Sequence, residues 1–240
     1  VIGVVYSQIF MPQLAPRQIM RNCVMPSAYP NLITQSGSIC PGNYNFGIGI
    51  GADNVSINCS TSNIFYGTGW NGNNGLVIQG VENVSIQGCT FVSFNKNGVF
   101  VGNGTNYTAE ITLSRNTIGG NVENGIFVGH NTLNFNASEN SIVSNGKDGI
   151  LFTSIYLGEY NDTNAKLFPM GIFVESNTLS NNQNGVSFDA FDYHAYRTNP
   201  LGGKDIFANN SVSIANNQIT YNNEDGVRNK GFFASTEGGF

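Results

Sequence analysis

Charged side chains are scarce in this 240-residue sequence, where Asp, Glu, Lys and Arg together make up 10% of the residues. About one quarter is usual for a globular domain. The ten Lys and Arg residues are outnumbered, and the formal net charge is −5. Nucleic-acid binding requires clustered basic residues, so the composition argues against such a partner. No apolar run approaches the roughly 20 residues of a membrane-spanning helix, and we expect no membrane span.

Residues that bind metals are also few, with two His, four Met and four Cys. No Cys-x-x-Cys motif occurs, and the two histidines form no cluster with other soft ligands. We therefore predict neither a metal nor a cofactor. Asparagine and glycine, in contrast, are abundant, with 37 and 30 residues. Such a composition can indicate disorder, but 40% hydrophobic residues in regular register argue against it.

The register is clearest over residues 75–148, where one pattern occurs three times with copies of 23, 27 and 24 residues. Repeats of this length predict a solenoid or a propeller, because one unit cannot bury its own apolar face. Successive copies open with a glycine at these positions: Gly47, Gly75, Gly98, Gly125, Gly149, Gly185 and Gly226. The first and third residues after most of these glycines are apolar, which predicts a strand with one buried face. Phe127 should then face outward although it is apolar.

Each copy continues with a second alternating apolar pair, such as Ile111 and Leu113, and a single third apolar position, such as Ile118 or Ile64. Asn or Asp precedes most opening glycines, and we predict that these pairs supply the positive φ of a sharp corner. A further asparagine occupies a fixed place between the second and third positions: Asn116, Asn140, Asn177 and Asn217, with Cys89 as the equivalent. Stacked amides there would form a hydrogen-bonded ladder. The alternative is that Asn merely suits turns.

Length variation falls at one corner, where the segment from the glycine to the second pair spans 9, 13, 10, 23 and 27 residues in the five complete copies. A propeller blade would not keep half its repeat constant while one loop grows this much. Over residues 44–226 the pattern resembles the right-handed parallel β-helix repeats of pectate-lyase-like proteins and of the periplasmic copper-maturation family. The resemblance implies an all-β, single-stranded right-handed parallel β-helix. That superfamily includes enzymes, adhesins and structural proteins, so the resemblance does not imply one function.

We therefore predict two regions, an N-terminal apolar arm with a cap or linker over 1–43 and a β-helix of about six to seven rungs over 44–240. The arm begins with an apolar, strand-like run that could cap the solenoid, bind a neighbour or remain after signal removal. Two insertions, 153–170 and 189–210, lie at the variable corner. The last copy, which opens at Gly226, lacks its second and third apolar positions. Either these last residues form a cap, or the mature protein continues beyond residue 240.

Four cysteines, Cys23, Cys40, Cys59 and Cys89, lie in the first ninety residues. Cys59 and Cys89 fall near the same corner of consecutive rungs, and a strand spacing of about 4.8 Å is compatible with a disulfide. We favour Cys59–Cys89 together with Cys23–Cys40. Pairing of Cys40 with Cys59 and buried free thiols are the alternatives.

Eight Asn-x-Ser/Thr triplets are candidate N-glycosylation sites: Asn54, Asn58, Asn83, Asn103, Asn106, Asn136, Asn161 and Asn209. Each is weak alone in an Asn-rich chain, but eight together favour a secreted or cell-surface location. The possible disulfides point the same way.

The two insertions are predicted to form the ligand-binding surface, because loops stacked on one solenoid face commonly do so. Aromatic rings there could stack on sugars and polar groups could bind hydroxyls; the candidates are Tyr156, Tyr160, Phe191, Tyr193, Tyr196 and Arg197. The alternative is that the aromatic residues pack the loops against the solenoid.

Catalytic signatures of the resembling enzymes are incomplete. A lyase would need a calcium-binding acidic cluster and a basic residue, and an inverting hydrolase needs two spaced carboxylates. Hydrolases of the resembling family carry Asn-Thr-Asp and Gly-His-Gly motifs, whereas this chain has Asn-Thr-Ile at 116–118 and Gly-His-Asn at 129–131. We therefore expect His130 to be a surface or corner residue. If the chain is an enzyme, a polysaccharide lyase or glycoside hydrolase, then Asp189, Asp192 and His194 are the candidate catalytic residues.

The sequence thus favours an exported, N-glycosylated structural or adhesive surface solenoid over an enzyme. Its predicted partners are further copies, bound head to tail through the solenoid ends and the N-terminal arm into a filament, another surface protein, or glycans. The alternative is a module that binds or cleaves polysaccharide.

Overall fold

The structure, a computed structural model, describes residues 23–26, 31–60, 63–67, 73–102, 106–153, 170–189 and 212–230. Within these ranges the chain forms short β-strands and no helix. In chain order the strands are β1 (Cys23–Val24), β2 (Leu32–Ile33), β3 (Gly37–Ile39), β4 (Gly42–Tyr44), β5 (Ile48–Ile50), β6 (Ser56–Asn58), β7 (Asn63–Tyr66), β8 (Leu76–Ile78), β9 (Glu82–Gln87), β10 (Thr90–Val92), β11 (Val99–Val101), β12 (Thr108–Ser114), β13 (Thr117–Gly119), β14 (Ile126–Val128), β15 (Thr132–Ser138), β16 (Ser141–Val143), β17 (Ile150–Thr153), β18 (Met170–Glu175), β19 (Thr178–Ser180), β20 (Val186–Asp189), β21 (Val212–Ala215), β22 (Gln218–Thr220) and β23 (Val227–Lys230).

These strands form three parallel sheets. Sheet A has the order β1-β3-β6-β9-β12-β15-β18-β21, sheet B the order β2-β5-β8-β11-β14-β17-β20-β23, and sheet C the order β4-β7-β10-β13-β16-β19-β22. The chain passes from sheet B to A to C and returns to B, and each strand pairs in parallel with its equivalent one circuit later. One such circuit is called a rung below. The molecule is therefore a parallel β-helix, which confirms the fold that the repeat pattern indicated.

The core consists of apolar columns that run through the three sheets. Ile111 and Leu113 are fully buried in sheet A, as are Ile126 and Val128 in sheet B. Burying each such side chain stabilises the fold by roughly 1.5–3 kcal/mol, so the period of two fixes which face of each strand turns inward. Sheet C contributes one inward position per strand, and there Phe65, rather than Ile64, pairs with Phe91 and is buried.

The corners turn at residues with left-handed backbone. Arg115 (φ 54°), Glu139 (φ 56°) and Ser176 (φ 58°) each stand immediately before a corner asparagine of the turn from sheet A to sheet C. The predicted positive φ at the Asn-Gly and Asp-Gly pairs is wrong, since the positive-φ residues of the described chain include none of them. These glycines are required by space: a Cβ on Gly125 would lie 2.6 Å from the Gly149 carbonyl oxygen and 2.5 Å from Ile142 Cγ2.

The predicted amide ladder is present at the turn from sheet A to sheet C. Asn116 Nδ2 donates to Asn140 Oδ1 (3.1 Å), Asn140 donates to Asn177 (3.0 Å), and Asn177 to Asn217 (3.0 Å). Two further ladders were not predicted. One occupies the turn from sheet C to sheet B through Asn121, Asn145, Asn182 and Asn222. The other joins residues that precede the opening glycines, namely Asn74, Asn97 and Asn124, and Asp148 with Asn184.

Disulfides join Cys23 to Cys40 and Cys59 to Cys89, which is the favoured combination. Cys89 occupies the ladder position of its rung, where its backbone N–H donates to Asn116 Oδ1 at 2.9 Å. The same corner is therefore held by a covalent bond in an early rung and by stacked amides in the later ones.

The sheets extend upstream of residue 44, since strands β1 to β4 pair with β3, β5, β6 and β7. These early rungs lack the spacing of the later repeat, which is why the sequence indicated a later start. Both long insertions fall between a sheet B strand and a sheet A strand, after Thr153 and after Asp189. The described part of the chain excludes 154–169 and 190–211.

Candidate functional site

Of the predicted catalytic residues, the described chain contains Asp189 alone. It is the exposed last residue of β20, where it pairs with Thr153 on one side and Lys230 on the other. Asp192 and His194 lie outside the described residues, as do all the predicted ligand-binding residues of the insertions. Asp189 is the one carboxylate in the described strands of sheet B, so these strands do not by themselves provide the carboxylate pair of a hydrolase.

His130 follows β14 at the turn towards sheet A, so its expected corner position is correct. Only 3% of the residue is exposed, so of the two predicted places, surface or corner, His130 occupies the corner. The backbone is closely packed at this turn, since a Cβ on Gly102, one rung earlier, would lie 2.9 Å from the His130 carbonyl oxygen.

The outer face of sheet B carries an apolar stripe. The residues between the two inward positions of each strand pair from rung to rung in the order Val77, Phe100, Phe127 and Leu151. The Phe100 and Phe127 rings stack face to face, with centroids 4.9 Å apart and planes within 2°. All four residues are partly exposed. We call these four residues the sheet B stripe.

An open cleft of about 440 Å³ continues the stripe towards the N-terminal rungs. Gly49 leaves its rung without an outward side chain between Leu32, which is 56% exposed, and Val77. The cleft therefore has an apolar floor. Its rim is polar and is formed by Asn31, Asn73, Asn74, Gln79 and Lys96. At the other end, the outward Ser187 and Thr153 are buried, so the exposed apolar stripe ends at Leu151.

Charged residues flank sheet B at its turn from sheet C. Lys147 Nζ lies 3.4 Å from Glu123 Oε1, and Gln183 Nε2 donates to Glu224 at 2.7 Å. Burial raises the pKa of the Tyr44 phenol, and the hydrogen bond from Arg115 to Glu139, with their charge attraction, raises the pKa of the Arg115 guanidinium.

The described glycosylation triplets share one side of the solenoid. Asn54 and Asn106 are exposed at the turn from sheet B to sheet A, Asn83 is exposed near the start of β9, and Asn58 is exposed at the end of β6. Asn83 Nδ2 donates to Asn54 Oδ1 at 2.8 Å. Asn136 is half-buried within β15, and its Oδ1 is enclosed without a hydrogen-bond partner in the described chain. Asn103, Asn161 and Asn209 lie outside the described residues.

This arrangement suits binding by apolar contact with polar groups at one end. The described residues contain no group of three or more His, Cys, Asp or Glu side chains placed to hold a metal ion. No helix long and apolar enough to cross a membrane occurs among them. The sequence contained one signal for the stripe, an apolar residue between two inward positions, but the same pattern also occurs in strands buried on both faces.

The fold and its disulfides define an all-β repeat protein of the parallel β-helix class. No family model matches the chain, and no curated protein matches it. Among solved structures it is similar to a crystal structure of the periplasmic alginate epimerase AlgG, with a TM-score of 0.49 and 19% sequence identity. The matched region covers 78% of this chain and 39% of that protein, so the chain spans about two fifths of the epimerase. This likeness concerns the fold alone.

Proposed function

We propose that this chain is an exported adhesive solenoid that contacts its partner through the outer face of sheet B. The observation that carries the proposal is the sheet B stripe, in which partly exposed apolar side chains of four successive rungs lie in register. A contiguous exposed apolar patch is unusual on a soluble protein and is typical of an interaction surface. The stacked amides and the apolar core hold this surface rigid, so little conformational entropy is lost on contact.

Export is supported by the two disulfides, because such bonds persist in oxidising compartments. N-glycosylation at the exposed triplets forms the second part of the proposal. All five described triplets lie on sheet A or on the turn that leads into it. Glycans there would cover one side of the solenoid and leave the sheet B stripe accessible, as an adhesive face requires.

The cleft favours a second candidate, the binding of an acidic polysaccharide. Its floor of Leu32 and Val77 could lie against the apolar face of a sugar ring, and the rim amides could bind hydroxyl groups. Lys96 would pair with a carboxylate. Polysaccharide binding requires the cleft with its polar rim, whereas adhesion requires the sheet B stripe.

Binding of the chain to three coated sensor surfaces distinguishes the candidates. The surfaces carry methyl groups, hydroxyl groups, or a polyuronate in low salt. Adhesion predicts that the methyl surface retains the most protein. Polyuronate binding predicts retention on the third surface, lost on Lys96→Gln and weakened by salt. Equal retention on all three surfaces would contradict both candidates.

A further inference from the structure

The two stacked rings of the sheet B stripe stand on an otherwise flat part of the sheet. Phe100 and Phe127 are the central residues of Gly-Val-Phe-Val-Gly at 98–102 and Gly-Ile-Phe-Val-Gly at 125–129. Their valine and isoleucine neighbours are buried in the core, and the flanking glycines carry no side chain. Within these two strands, no other side chain prevents a second flat surface from approaching the rings.

Beside the stripe, at the turn from sheet C, runs a column of side chains whose charges alternate. The column contains the residue two positions before the opening glycine of each stripe rung: Asn73, Lys96, Glu123 and Lys147. The backbone N–H of Glu123 donates to the Lys96 carbonyl, and that of Lys147 donates to the Glu123 carbonyl, so these residues stack rung on rung. Both lysines are exposed and Glu123 is partly exposed. A surface that covers the stripe therefore meets these charges along one edge.

The stripe and its charged edge are complementary to themselves. A two-fold axis that runs along the strand direction turns a second copy over, so that sheet B faces sheet B and the rung order is reversed. With the axis between the two ring-bearing rungs, Phe100 lies opposite Phe127 of the second copy. The same operation places Lys96 opposite Glu123 of the second copy, and the symmetry makes this contact twice. Apolar and charged groups thus match in a single arrangement.

Neighbouring registers of the same contact match less well. An axis that passes through one of the rings would oppose Lys96 to itself or Glu123 to itself, and opposed like charges act against such a contact. Moving the axis by one rung in either direction would set a ring against Gly49 or against the buried Ser187. The register in which the two rings face each other is therefore favoured both by apolar contact and by charge.

We propose that the partner of the adhesive face is a second copy of this chain, bound face to face with its rungs in the opposite order. The inference rests on the proposed function, since both use the sheet B stripe. Four rungs at a strand spacing of about 4.8 Å give a contact roughly 20 Å long, which is smaller than a standard protein interface. The dimer is therefore weak. Weak contacts of opposite direction suit adhesion between two facing surfaces, where many copies bind together.

Two charge reversals test this register by analytical ultracentrifugation of the full chain. Lys96→Glu opposes two carboxylates at both symmetric contacts, and Glu123→Lys opposes two ammonium groups. Each variant alone should dimerise about tenfold more weakly than the unaltered chain. An equimolar mixture of the two variants should regain the affinity, because both contacts of the mixed dimer again join opposite charges.

Arg115→Glu is the matched control, an exposed charge reversal at the turn from sheet A to sheet C. Glu139 occupies the equivalent backbone conformation one rung later, so the variant should fold and should dimerise within about twofold of the unaltered chain. Circular dichroism and urea unfolding should show that all three variants fold.

Loss of the dimer in both reversals, with recovery in the mixture, supports the proposal. A chain that stays monomeric at every concentration would overturn it, as would loss without recovery or a dimer that ignores both reversals. Association that continues beyond the dimer and ignores both reversals would also overturn it, because it indicates contact through the solenoid ends. Retention of a monomeric chain on the methyl surface would show that self-association fails while the adhesive face stands.

Discussion

Phe100 and Phe127 stack on the outside of the solenoid, one rung apart, with ring centroids separated by 4.9 Å. Their neighbours along the chain face the core, so the rings do not stabilise the fold by filling it. The stack is instead the centre of an outward apolar stripe that continues to Val77 and Leu151. This relationship links the repeat to function, because the strand spacing that builds the core also places these two rings in contact.

Loss of one ladder amide should destabilise the fold. Asn140→Ala removes the acceptor of the Asn116 backbone N–H (2.9 Å) and the donor to the Leu113 carbonyl (2.9 Å). Leaving such buried groups unpaired costs about 1–3 kcal/mol each, so we expect the free energy of unfolding in urea to fall by about 3 kcal/mol. Ser141→Ala, at the next residue, faces outward and should change it by less than about 0.5 kcal/mol. Equal effects would mean that the ladder does not contribute to stability.

The opening glycines should be intolerant of alanine except at the C-terminal end. Gly125→Ala would bring a methyl group against the Gly149 carbonyl, so we expect a loss of about 2 kcal/mol or more in the free energy of unfolding. Gly226→Ala serves as the matched control, since its Cβ would have ordinary van der Waals contact. If Gly226→Ala is as destabilising as Gly125→Ala, the steric explanation fails.

These glycines also show where sequence reasoning succeeds and where it does not. Most column positions and the Cys59–Cys89 disulfide could be predicted, because alternation and a constant rung length determine which residues stack. Cys23 and Cys40 lie before the regular repeat, and their pairing was favoured as that of the two remaining cysteines. The role of the glycines could not, since a need for positive φ and a need for space select the same residue. Early strands such as β2 escaped notice because their rungs lack the repeated spacing. The outward position of Phe127 was predicted, but the apolar stripe was not recognised as a surface, because strands buried on both faces also carry an apolar residue between two inward positions.

Removal of the Cys59–Cys89 disulfide should lower stability more than removal of Cys23–Cys40. The first bond closes a separation of 30 residues and the second one of 17. In the chain-entropy account, a loop of the first size contributes about 3.5 kcal/mol and the second about 3 kcal/mol. The double serine variant at positions 59 and 89 also places a hydroxyl group at the fully buried position of Cys89. This substitution should widen the difference in stability between the two variants. The measurement is urea unfolding of both variants, and a larger loss for the second pair would contradict this ranking.

Exposure should decide which triplets carry glycans after secretion from a eukaryotic host. We expect mass spectrometry to find glycans at Asn58 and Asn106, and on either Asn54 or Asn83, whose side chains touch. Asn136 should stay unmodified, because it is half-buried within β15. Full occupancy at Asn136 together with empty exposed sites would contradict the proposed glycan-covered side.

The most direct measurement of the central claim compares two double variants for retention on the methyl surface. Phe100→Ser with Phe127→Ser removes the stacked rings of sheet B, and Val92→Ser with Val143→Ser removes two outward, partly exposed apolar residues of sheet C. We predict that the first pair weakens binding tenfold or more, because each lost phenyl contact contributes on the order of 1 kcal/mol. The second pair should bind within about twofold of the unaltered chain. Equal weakening by both pairs, or none by the first, would contradict an adhesive face on sheet B.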